Sequence, residues 1–326
     1  MTTGIIKKIE DAKLLGKSGS CFSTAKKWQV FKEQKSAKKY IICNIAEGEP
    51  EIEKDRYVLK NYFDKVVEII LLAIQEIPES APIIYIKKEY YDEFKEQIQK
   101  AIKNTLIKIE IKKQGYINGE ETVICNILEG KRAEPRTKPP YPVESGINGY
   151  PTLINNIETF YRVWEIAHNQ FEDKRFISIS GIIPKKGICE FSVDESIKSI
   201  LEKSDNLPKE KFFVIAGGLL SGEILLPNEL DQPIKGAGSI VVFSTKTNGF
   251  EMLKKWSNIY NRENCDKCVS CREGIYRIVE MLESRKINEE IFLEIVRNMQ
   301  ISSFCQLGRR AGYLLEQIYQ KVYKNV

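Results

Sequence analysis

The fold of the chain is decided by residues 40–113, which read YIICNIAEGEPEIEKDRYVLKNYFDKVVEIILLAIQEIPESAPIIYIKKEYYDEFKEQIQKAIKNTLIKIEIKK. Three short apolar runs, YIICNIA, PIIYIKK and LIKIEIKK, predict β-strands, and the two segments between them carry apolar residues at helical spacing. Strands that alternate with helices predict an α/β domain with a mostly parallel sheet. Such sheets bind ligands at the carboxyl ends of their strands, so we expect a site in the loops that follow them.

The rest of the chain shows three further patterns. Residues 134–151, EPRTKPPYPVESGINGYP, are rich in proline and predict extended chain. From about residue 176 to 244, short strand-like runs separated by Gly, Pro and Asn surround one helical segment, which predicts a small ubiquitin-like β-grasp module. Beyond residue 249, four segments with helical spacing predict a bundle. We therefore expect an α/β domain at residues 1–170, a β-grasp module at 171–246 and a helical bundle at 247–326.

Composition and charge exclude several classes of function. The 326 residues are 42% hydrophobic, and the net charge of +5 comes from 50 basic and 45 acidic residues. This small, dispersed excess does not predict nucleic-acid binding, and lysine-rich segments such as residues 108–113 are typical of solvated strand faces. No apolar run approaches the ~18 residues of a membrane helix, and we expect no signal peptide. The sequence therefore predicts a cytoplasmic protein.

The motif ENCDKCVSCREG (residues 263–274) places Cys265, Cys268 and Cys271 at C-x2-C-x2-C spacing, and Cys305 follows 34 positions later. A [4Fe–4S] cluster needs one thiolate for each iron, and three thiolates spaced in this way can surround three of its corners. Structural zinc is the alternative, but its ligands usually come as two separate C-x2-C pairs. We therefore predict that the four cysteines bind one [4Fe–4S] cluster that carries electrons.

Polar motifs lie at strand ends and in loops of the first domain. Residues 16–28, GKSGSCFSTAKKW, form a loop of small residues that can offer backbone N–H groups to a phosphate. Residues 46–56 and 115–122 carry acids, and residues 152–159 carry an asparagine pair that can hydrogen-bond a flavin or a ribose. Each motif alone is also explained by turn and capping chemistry.

Taken together and in order, these motifs resemble one family, the NADH- and FMN-binding subunit of respiratory complex I and its relatives in NAD-linked hydrogenases and formate dehydrogenases. The resemblance extends from Gly16 to about Ile318 and is strongest in CNIAEGEPEIEKDR, YINGEET, SGINGYPTLINNIET and CDKCVSCREG. It implies a Rossmann-like flavin-binding domain, a β-grasp module and a bundle that holds a [4Fe–4S] cluster, with FMN and NAD(H) as the other cofactors.

The resemblance also implies roles for individual residues. Asn155 and Asn156 match the pair that holds the ribitol phosphate of FMN, and Phe22 matches an aromatic that stacks on the adenine of NADH. No side chain is expected to act as a catalytic acid or base. The positions that match FMN- or NADH-binding residues are Gly16, Gly19, Phe22, Lys27, Asn44, Glu47, Glu49, Tyr116, Glu120, Glu121, Lys138, Tyr141, Asn155 and Asn156.

The chain departs from the family mainly in its phosphate loop. Ser18, Cys21 and Ala25 replace three glycines of the family, and Ala46 replaces an aspartate. An added side chain can keep the backbone away from a phosphate, or it can require a positive φ of a residue that is not glycine. These departures predict a weakened nucleotide pocket, whereas the cysteine motif is complete.

We therefore expect an oxidoreductase subunit of the NADH dehydrogenase type, a flavoprotein that passes electrons between NAD(H), FMN and the cluster to a partner subunit. The resemblance implies two partners, a small [2Fe–2S] subunit and a larger iron–sulfur subunit, at the periphery of a membrane complex. One alternative is a non-catalytic iron–sulfur relay or scaffold with a degenerate flavin pocket. The other is a flavin subunit with a different reductant, such as NADPH or a protein donor.

Overall fold

The computed structural model describes residues 4–19 and 21–324, which divide into two compact units. The first unit comprises Met1–Gly48 and Glu53–Phe176, and the second comprises Glu49–Ile52 and Ile177–Val326. The chain thus leaves the first unit after Gly48 and returns to it at Glu53. The division into three domains at residues 170 and 246 stays a prediction.

The first unit contains a parallel sheet surrounded by helices, as the sequence predicts. The strands are β1 (Lys39–Ile45), β2 (Ser80–Lys87), β3 (Lys108–Lys112) and β4 (Thr152–Asn156), and the helices are α1 (Ile5–Asp11), α2 (Thr24–Glu33), α3 (Lys54–Glu76), α4 (Lys88–Ala101), α5 (Glu121–Leu128) and α6 (Ile157–Ala167). The four strands are all parallel, in the order β3–β2–β1–β4. Strands β1, β2 and β3 are the three that were expected, whereas the polar sequence TLINN of β4 shows no strand pattern.

Burial explains the sequences of the first sheet. Strands β1, β2 and β4 are buried along almost their whole length, and strands buried on both faces read as continuous apolar runs. Helices α3 and α6 pack against each other, and both also contact β1. Because the carboxyl ends of parallel strands lie at the same edge of a sheet, Asn44 near the end of β1 lies beside Asn156 at the end of β4.

The second unit begins with a mixed sheet and one helix, which confirms the strands and the helix expected between residues 176 and 244. The elements are β5 (Lys174–Gly181), β6 (Gly187–Ser192), α7 (Ile197–Lys203), β7 (Phe212–Ala216), β8 (Glu223–Leu225) and β9 (Ser239–Ser244). The strand order is β6–β5–β9–β7–β8; β5 and β9 are parallel, and β7 is antiparallel to both β8 and β9. Helix α7 packs its buried face into the apolar core of this module.

Four helices follow, as the sequence predicts: α8 (Gly249–Glu263), α9 (Val269–Glu283), α10 (Glu289–Ser302) and α11 (Gln306–Gln317). Helix α10 packs against α9 and α11, and a π-helical turn over Ile318–Tyr323 continues α11 toward α8. Within residues 4–19 and 21–324, no helix has the length and apolar character that crossing a membrane requires.

Candidate functional site

The carboxyl ends of β1 and β4 carry asparagines with contrasting environments. The Asn44 side chain is satisfied, because its nitrogen donates to the Gly119 carbonyl and its oxygen accepts the Ala46 N–H, both at 3.1 Å. The side-chain oxygen of Asn155 is buried and accepts no hydrogen bond from any residue in the described part of the chain. A buried acceptor without a partner is costly. The Asn155 oxygen therefore fits a hydroxyl or N–H donor of a ligand.

Asn156 is held by the first turn of α3. Its amide nitrogen donates to the two carboxylate oxygens of Asp55 at 2.9 and 3.0 Å. Its oxygen accepts the Glu158 N–H at 3.0 Å and so caps α6. Burial raises the pKa of Asp55, whereas the Lys54 ammonium and the Asn156 amide favour its charged form. The predicted residue Asn156 thus depends on Asp55, an acid of the motif at residues 46–56 to which no binding role was assigned.

Glu47 anchors the beginning of α3. One carboxylate oxygen accepts the N–H groups of Lys54 and Asp55 at 3.1 and 3.2 Å, and the other accepts the Tyr90 hydroxyl at 2.8 Å. Burial and the neighbouring Asp55 carboxylate raise the pKa of Glu47 to about 8. This predicted ligand residue therefore also has a structural role, and both of its oxygens already accept protein hydrogen bonds.

A buried ion pair joins α3 to α6. The Lys54 ammonium lies 2.7 Å from a Glu158 oxygen, and their side chains are only 5% and 0% exposed. The same ammonium donates to the Lys17 carbonyl at 2.9 Å, and the other Glu158 oxygen accepts the Phe176 N–H at 2.8 Å. Although burial alone would raise it, the cations Lys54 and Arg162 lower the pKa of Glu158. The pair thus fixes the loop at Lys17 to both helices.

Four predicted residues from three separate segments of the chain meet in a second charged cluster. The Lys27 ammonium donates to Glu121 at 2.9 Å and to the Ile154 carbonyl at 2.8 Å. The Lys138 ammonium donates to Glu120 at 2.7 Å and to Glu121 at 3.2 Å. Although burial alone would raise it, these two ammonium groups lower the pKa of Glu121. Lys27 therefore connects α2 and this cluster to β4, one residue before Asn155.

The phosphate loop makes contacts of its own. The Gly16 N–H donates to the Phe22 carbonyl at 2.9 Å. The Lys17 side chain is 5% exposed, and its ammonium lies 3.0 Å from Asp173. Burial lowers the pKa of Lys17, although the Asp173 carboxylate opposes this effect. The loop cation is thus already paired with a protein carboxylate.

The residues that replace family glycines in this loop have different backbone conformations. Gly19 has a φ of +99°, and Cys21 has a φ of +49° although it is not a glycine. The expected strain is therefore present at Cys21. Ala25 instead lies in the first turn of α2, where its side chain is buried and its backbone is helical. Replacement of glycine at position 25 thus carries no penalty of this kind.

Thr24 is a residue that the sequence analysis missed. It is the first residue of α2, it is 1% exposed, and its hydroxyl has no hydrogen-bond partner among the described residues. Helix α2 packs against β4, and Lys27 is one turn further along the same helix. Thr24 and Asn155 therefore supply buried polar atoms without partners from two elements in contact. A hydroxyl at a helix N-terminus after a glycine loop was the available signal.

Lys112 is an exception to the predicted solvated strand face of residues 108–113, in which Lys108 and Lys113 are exposed as expected. The side chain of this last residue of β3 is 8% exposed, and its ammonium donates to the Ala46 carbonyl at 3.1 Å. The reason is the backbone acceptor at Ala46, which no local pattern in β3 reveals. A buried cation therefore lies next to the position where the chain has lost the family's aspartate.

The remaining predicted residues differ in exposure. Phe22 and Tyr141 are 50% and 49% exposed, which leaves ring surface available for stacking. Tyr116 is half-buried and precedes a 3-10 turn over Ile117–Gly119. Glu49 belongs to the second unit, where it accepts the Leu220 N–H at 2.8 Å and the Ser221 hydroxyl. The structure therefore assigns Glu49 protein partners within that unit.

The four predicted cysteines lie at helix ends in the second unit. Cys265 and Cys268 precede α9, Cys271 lies in its first turn, and Cys305 immediately precedes α11. Burial and the other three thiols together raise the pKa of Cys271 to about 12. Among the residues described, no three His, Cys, Asp or Glu side chains are arranged to hold a single metal ion. A cubane instead binds each thiolate to a different iron, and binding releases the thiol protons.

Backbone N–H groups are directed at these sulfurs. The Phe304 N–H donates to the Cys268 sulfur at 3.5 Å. Burial raises the pKa of Cys305, while the N–H groups of Gly308 and Leu307 at the start of α11 favour its thiolate. Hydrogen bonds to sulfur and a helix N-terminus both stabilise negative charge. The donor set therefore fits a negatively charged iron–sulfur cluster.

Two family profiles match the chain. The Nuo51 FMN-binding domain matches residues 9–165, and the iron–sulfur binding region of NADH-ubiquinone oxidoreductase F matches residues 251–325. The NADH-quinone oxidoreductase F subunit of Aquifex aeolicus is 31% identical, over 97% of this chain and 84% of its own length. The alpha subunit of the NAD-reducing hydrogenase HoxS of Cupriavidus necator is 30% identical, over 93% of this chain and 57% of its own length.

A solved structure agrees with these matches. The NAD+-reducing [NiFe]-hydrogenase in its H2-reduced state superposes with a TM-score of 0.87 and 26% identity, over 99% of this chain. This chain spans 62% of that hydrogenase chain.

Fold, site and similarities together define a flavin- and iron–sulfur-binding electron-transfer subunit. It is an oxidoreductase subunit of the NADH dehydrogenase type. More narrowly, the chain belongs to the family of the NADH-quinone oxidoreductase F subunit. Its relatives are subunits of larger enzymes.

Proposed function

We propose that this chain binds FMN at the carboxyl ends of β1 and β4 and oxidises NADH or reduces NAD⁺ there. The observation that carries the proposal is the pair of buried polar atoms without partners, the Asn155 oxygen and the Thr24 hydroxyl. The two residues lie on elements in contact, α2 and β4. Buried polar atoms in native proteins are nearly always paired, so a polar ligand is the simplest partner for both.

Each element of this site suits a different part of the nucleotide. The Asn155 oxygen accepts from a ribitol hydroxyl or a flavin N–H, and the Thr24 hydroxyl donates to a phosphate oxygen. Lys27 and Lys138 supply ammonium groups at the same edge, but both are paired with Glu120 or Glu121, so a phosphate would have to take the place of one of these carboxylates. The exposed ring of Phe22 offers a surface on which an adenine can stack.

In the second unit, we propose that Cys265, Cys268, Cys271 and Cys305 hold one [4Fe–4S] cluster. The N–H groups of Phe304 and Gly308 stabilise its negative charge. When bound, FMN exchanges hydride with NAD(H), and the cluster carries single electrons onward. The protein residues bind and orient these groups, and the proposed chemistry requires no side-chain acid or base.

Partner subunits must accept or supply the electrons. We propose a small [2Fe–2S] subunit and a larger iron–sulfur subunit, because the relatives are subunits of multi-subunit enzymes and the sequence contains one cluster motif. The location that goes with this assembly is cytoplasmic, peripheral to a membrane complex. Co-purification of the tagged chain from its native cell, followed by identification of the attached subunits and their membrane association, tests both statements.

The FMN proposal is tested by titration of the full chain, purified anaerobically and freed of flavin. We expect saturable quenching of FMN fluorescence and NADH-dependent reduction of an artificial dye. Thr24→Val should weaken FMN binding about tenfold, since one hydrogen bond to a charged group contributes ~1.5 kcal/mol or more. Thr24→Ser, which keeps the hydroxyl, should bind normally. A chain that carries iron and sulfide but has no affinity for FMN refutes the proposal.

Two observations favour the alternative of a non-catalytic iron–sulfur relay. Lys17, in the phosphate loop, already pairs with Asp173 and is almost fully buried. The positive φ of Cys21 adds strain to the same loop. A relay of this kind predicts a full complement of iron and sulfide without flavin binding, and the titration distinguishes it from the first proposal. Parallel assays with NADH and NADPH identify the reductant if flavin binds.

A further inference from the structure

Ser303 occupies an unusual position at the end of α10, two residues before Cys305. Its side chain is 1% exposed, and its hydroxyl has no hydrogen-bond partner among the residues that the structure describes. Its backbone is held on both sides, because its N–H donates to the Met299 carbonyl at 3.1 Å and its carbonyl accepts the Arg309 side chain at 2.9 Å. A buried hydroxyl fixed in this way, without a partner, indicates a missing acceptor.

The preceding serine shows what a helical hydroxyl ordinarily does. The Ser302 hydroxyl donates back to the Asn298 carbonyl, four residues earlier, at 2.7 Å. Serine residues within helices commonly satisfy themselves in this way. The Ser303 hydroxyl makes no equivalent bond to Met299. Ser303 follows the last residue of α10, and the preceding helical turn leaves its hydroxyl without a partner.

Gly308 shows where the Ser303 hydroxyl lies. A Cβ atom at position 308 would come within 2.6 Å of the Ser303 oxygen and within 3.1 Å of the Cys271 Cβ. The hydroxyl and the Cys271 side chain therefore border the same small space, which is open only because residue 308 is a glycine. Gly308 also directs its own N–H toward Cys305. The hydroxyl thus lies beside a glycine that also borders the Cys271 side chain and donates to Cys305.

We propose that Ser303 donates a hydrogen bond to a sulfur of the [4Fe–4S] cluster and thereby raises its reduction potential. Reduction adds one electron to the cluster and changes no covalent bond, and the proton stays on the Ser303 oxygen. The added negative charge strengthens an O–H···S bond, so the donor stabilises the reduced cluster more than the oxidised one. Ser303 therefore acts beside the backbone donor at Phe304 as a residue that tunes the cluster. This inference rests on the proposed cluster site.

The test compares Ser303→Ala, Ser303→Thr and Ser302→Ala in the full chain, purified anaerobically. Iron and acid-labile sulfide are counted first, and the midpoint potential is then measured by dye-mediated titration followed by EPR. In Ser303→Ala we expect an unchanged cluster content. At a potential equal to the wild-type midpoint, the ratio of reduced to oxidised cluster in Ser303→Ala should be about tenfold lower than in the wild type. This corresponds to a midpoint potential about 59 mV more negative for a one-electron couple. The Ser303→Thr and Ser302→Ala variants should keep the wild-type potential.

The outcomes separate this inference from the proposed cluster site. A wild-type chain without iron and sulfide overturns the cluster site, and the tuning role with it. An intact cluster in Ser303→Ala with the wild-type potential overturns the tuning role alone. Loss of the cluster in both Ser303→Ala and Ser303→Thr also overturns it, since the position then serves packing and not the hydroxyl. If the cluster is lost in Ser303→Ala and fully retained in Ser303→Thr, the result supports a contact between the hydroxyl and the cluster.

Discussion

Replacement of Asn155 by leucine should make the first unit more stable and worse at binding FMN. Leucine has nearly the shape of asparagine but carries no acceptor. The Asn155 oxygen is buried without a partner, so it contributes a desolvation cost that the leucine removes. The same oxygen is the acceptor that we assign to FMN. A single substitution therefore moves stability and ligand affinity in opposite directions.

The magnitude follows from the cost of a buried, unpaired polar group, which is about 1–3 kcal/mol. We expect Asn155→Leu to raise the free energy of unfolding of the flavin-free chain by about this amount. For a unit of this size, ~1 kcal/mol corresponds to roughly 2–4 °C in Tm. The dissociation constant of FMN should rise about ten- to hundredfold, because a donor of the flavin is left unpaired in the complex.

Asn44→Leu is the matched control at the end of the neighbouring strand. Asn44 makes two hydrogen bonds, to the Gly119 carbonyl and from the Ala46 N–H. Its loss leaves both backbone groups unpaired and should lower the free energy of unfolding by about 1–3 kcal/mol. Urea unfolding and calorimetry on flavin-free protein, and FMN fluorescence titration on the same samples, provide the comparison.

Two results would refute this reasoning. If Asn155→Leu destabilises the flavin-free chain as much as Asn44→Leu does, then the Asn155 oxygen already has a partner. If Asn155→Leu leaves FMN affinity unchanged while the wild type binds FMN, then the flavin lies elsewhere. The first result removes the observation on which the FMN site rests, and the second removes the contact with FMN that we assign to Asn155.

The remaining predictions concern charge and the cluster. Because the pKa of Glu47 is raised from 4.5 to about 8 in the folded chain, the folded state holds a proton that the unfolded state releases. The free energy of unfolding should therefore fall as pH rises from about 5 to 8, and Glu47 contributes at most ~1.4 kcal/mol per pH unit to this fall. The Glu47→Gln variant should show a flatter dependence of stability on pH. If its slope equals that of the wild type, Glu47 is not the group that titrates. Lys54→Met leaves Glu158 buried without its closest cation and should cost about 3–5 kcal/mol in urea unfolding, whereas a loss below ~1 kcal/mol argues against a tightly coupled pair. Cys305→Ala should abolish cluster iron and sulfide, and Cys189→Ala, on β6, should not; equal contents in the two variants rule out Cys305 as a ligand.

Local patterns were sufficient for most of the fold. Strands β1, β2 and β3, the five strands of the second sheet and the four helices after residue 249 all appear where periodicity places them. Strand β4 escaped because three of its five residues, TLINN, are polar, although the structure buries all five. A buried strand with so many polar side chains lacks the apolar pattern that identifies its neighbours.

The candidate site was predictable in its residues but not in their partners. Glu121 and Lys138 were both among the predicted residues, but their contact with each other was not predicted. The pairing of Lys54 with Glu158 spans 104 residues, and that of Asn156 with Asp55 spans 101. Contacts of this range leave no periodic signal, because local spacing around one partner contains no information about the other. Ser303 was equally invisible, since only the geometry of its hydroxyl distinguishes it from Ser302.

The excursion of residues 49–52 into the second unit restricts how the protein can be cut. Leu220 and Ser221 donate to Glu49, 171 and 172 residues before them, and the Ser178 hydroxyl donates to the Glu51 carbonyl. A fragment that begins at residue 177 would therefore lack the acceptors on Glu49 and Glu51. A fragment that ends at residue 176 would carry residues 49–52 without the part of the chain that donates to them. Dissection at the apparent boundary should yield poorly expressed halves. Supplying the short segment in trans, or grafting it onto the C-terminal fragment by a linker, is the practical route to an isolated cluster module.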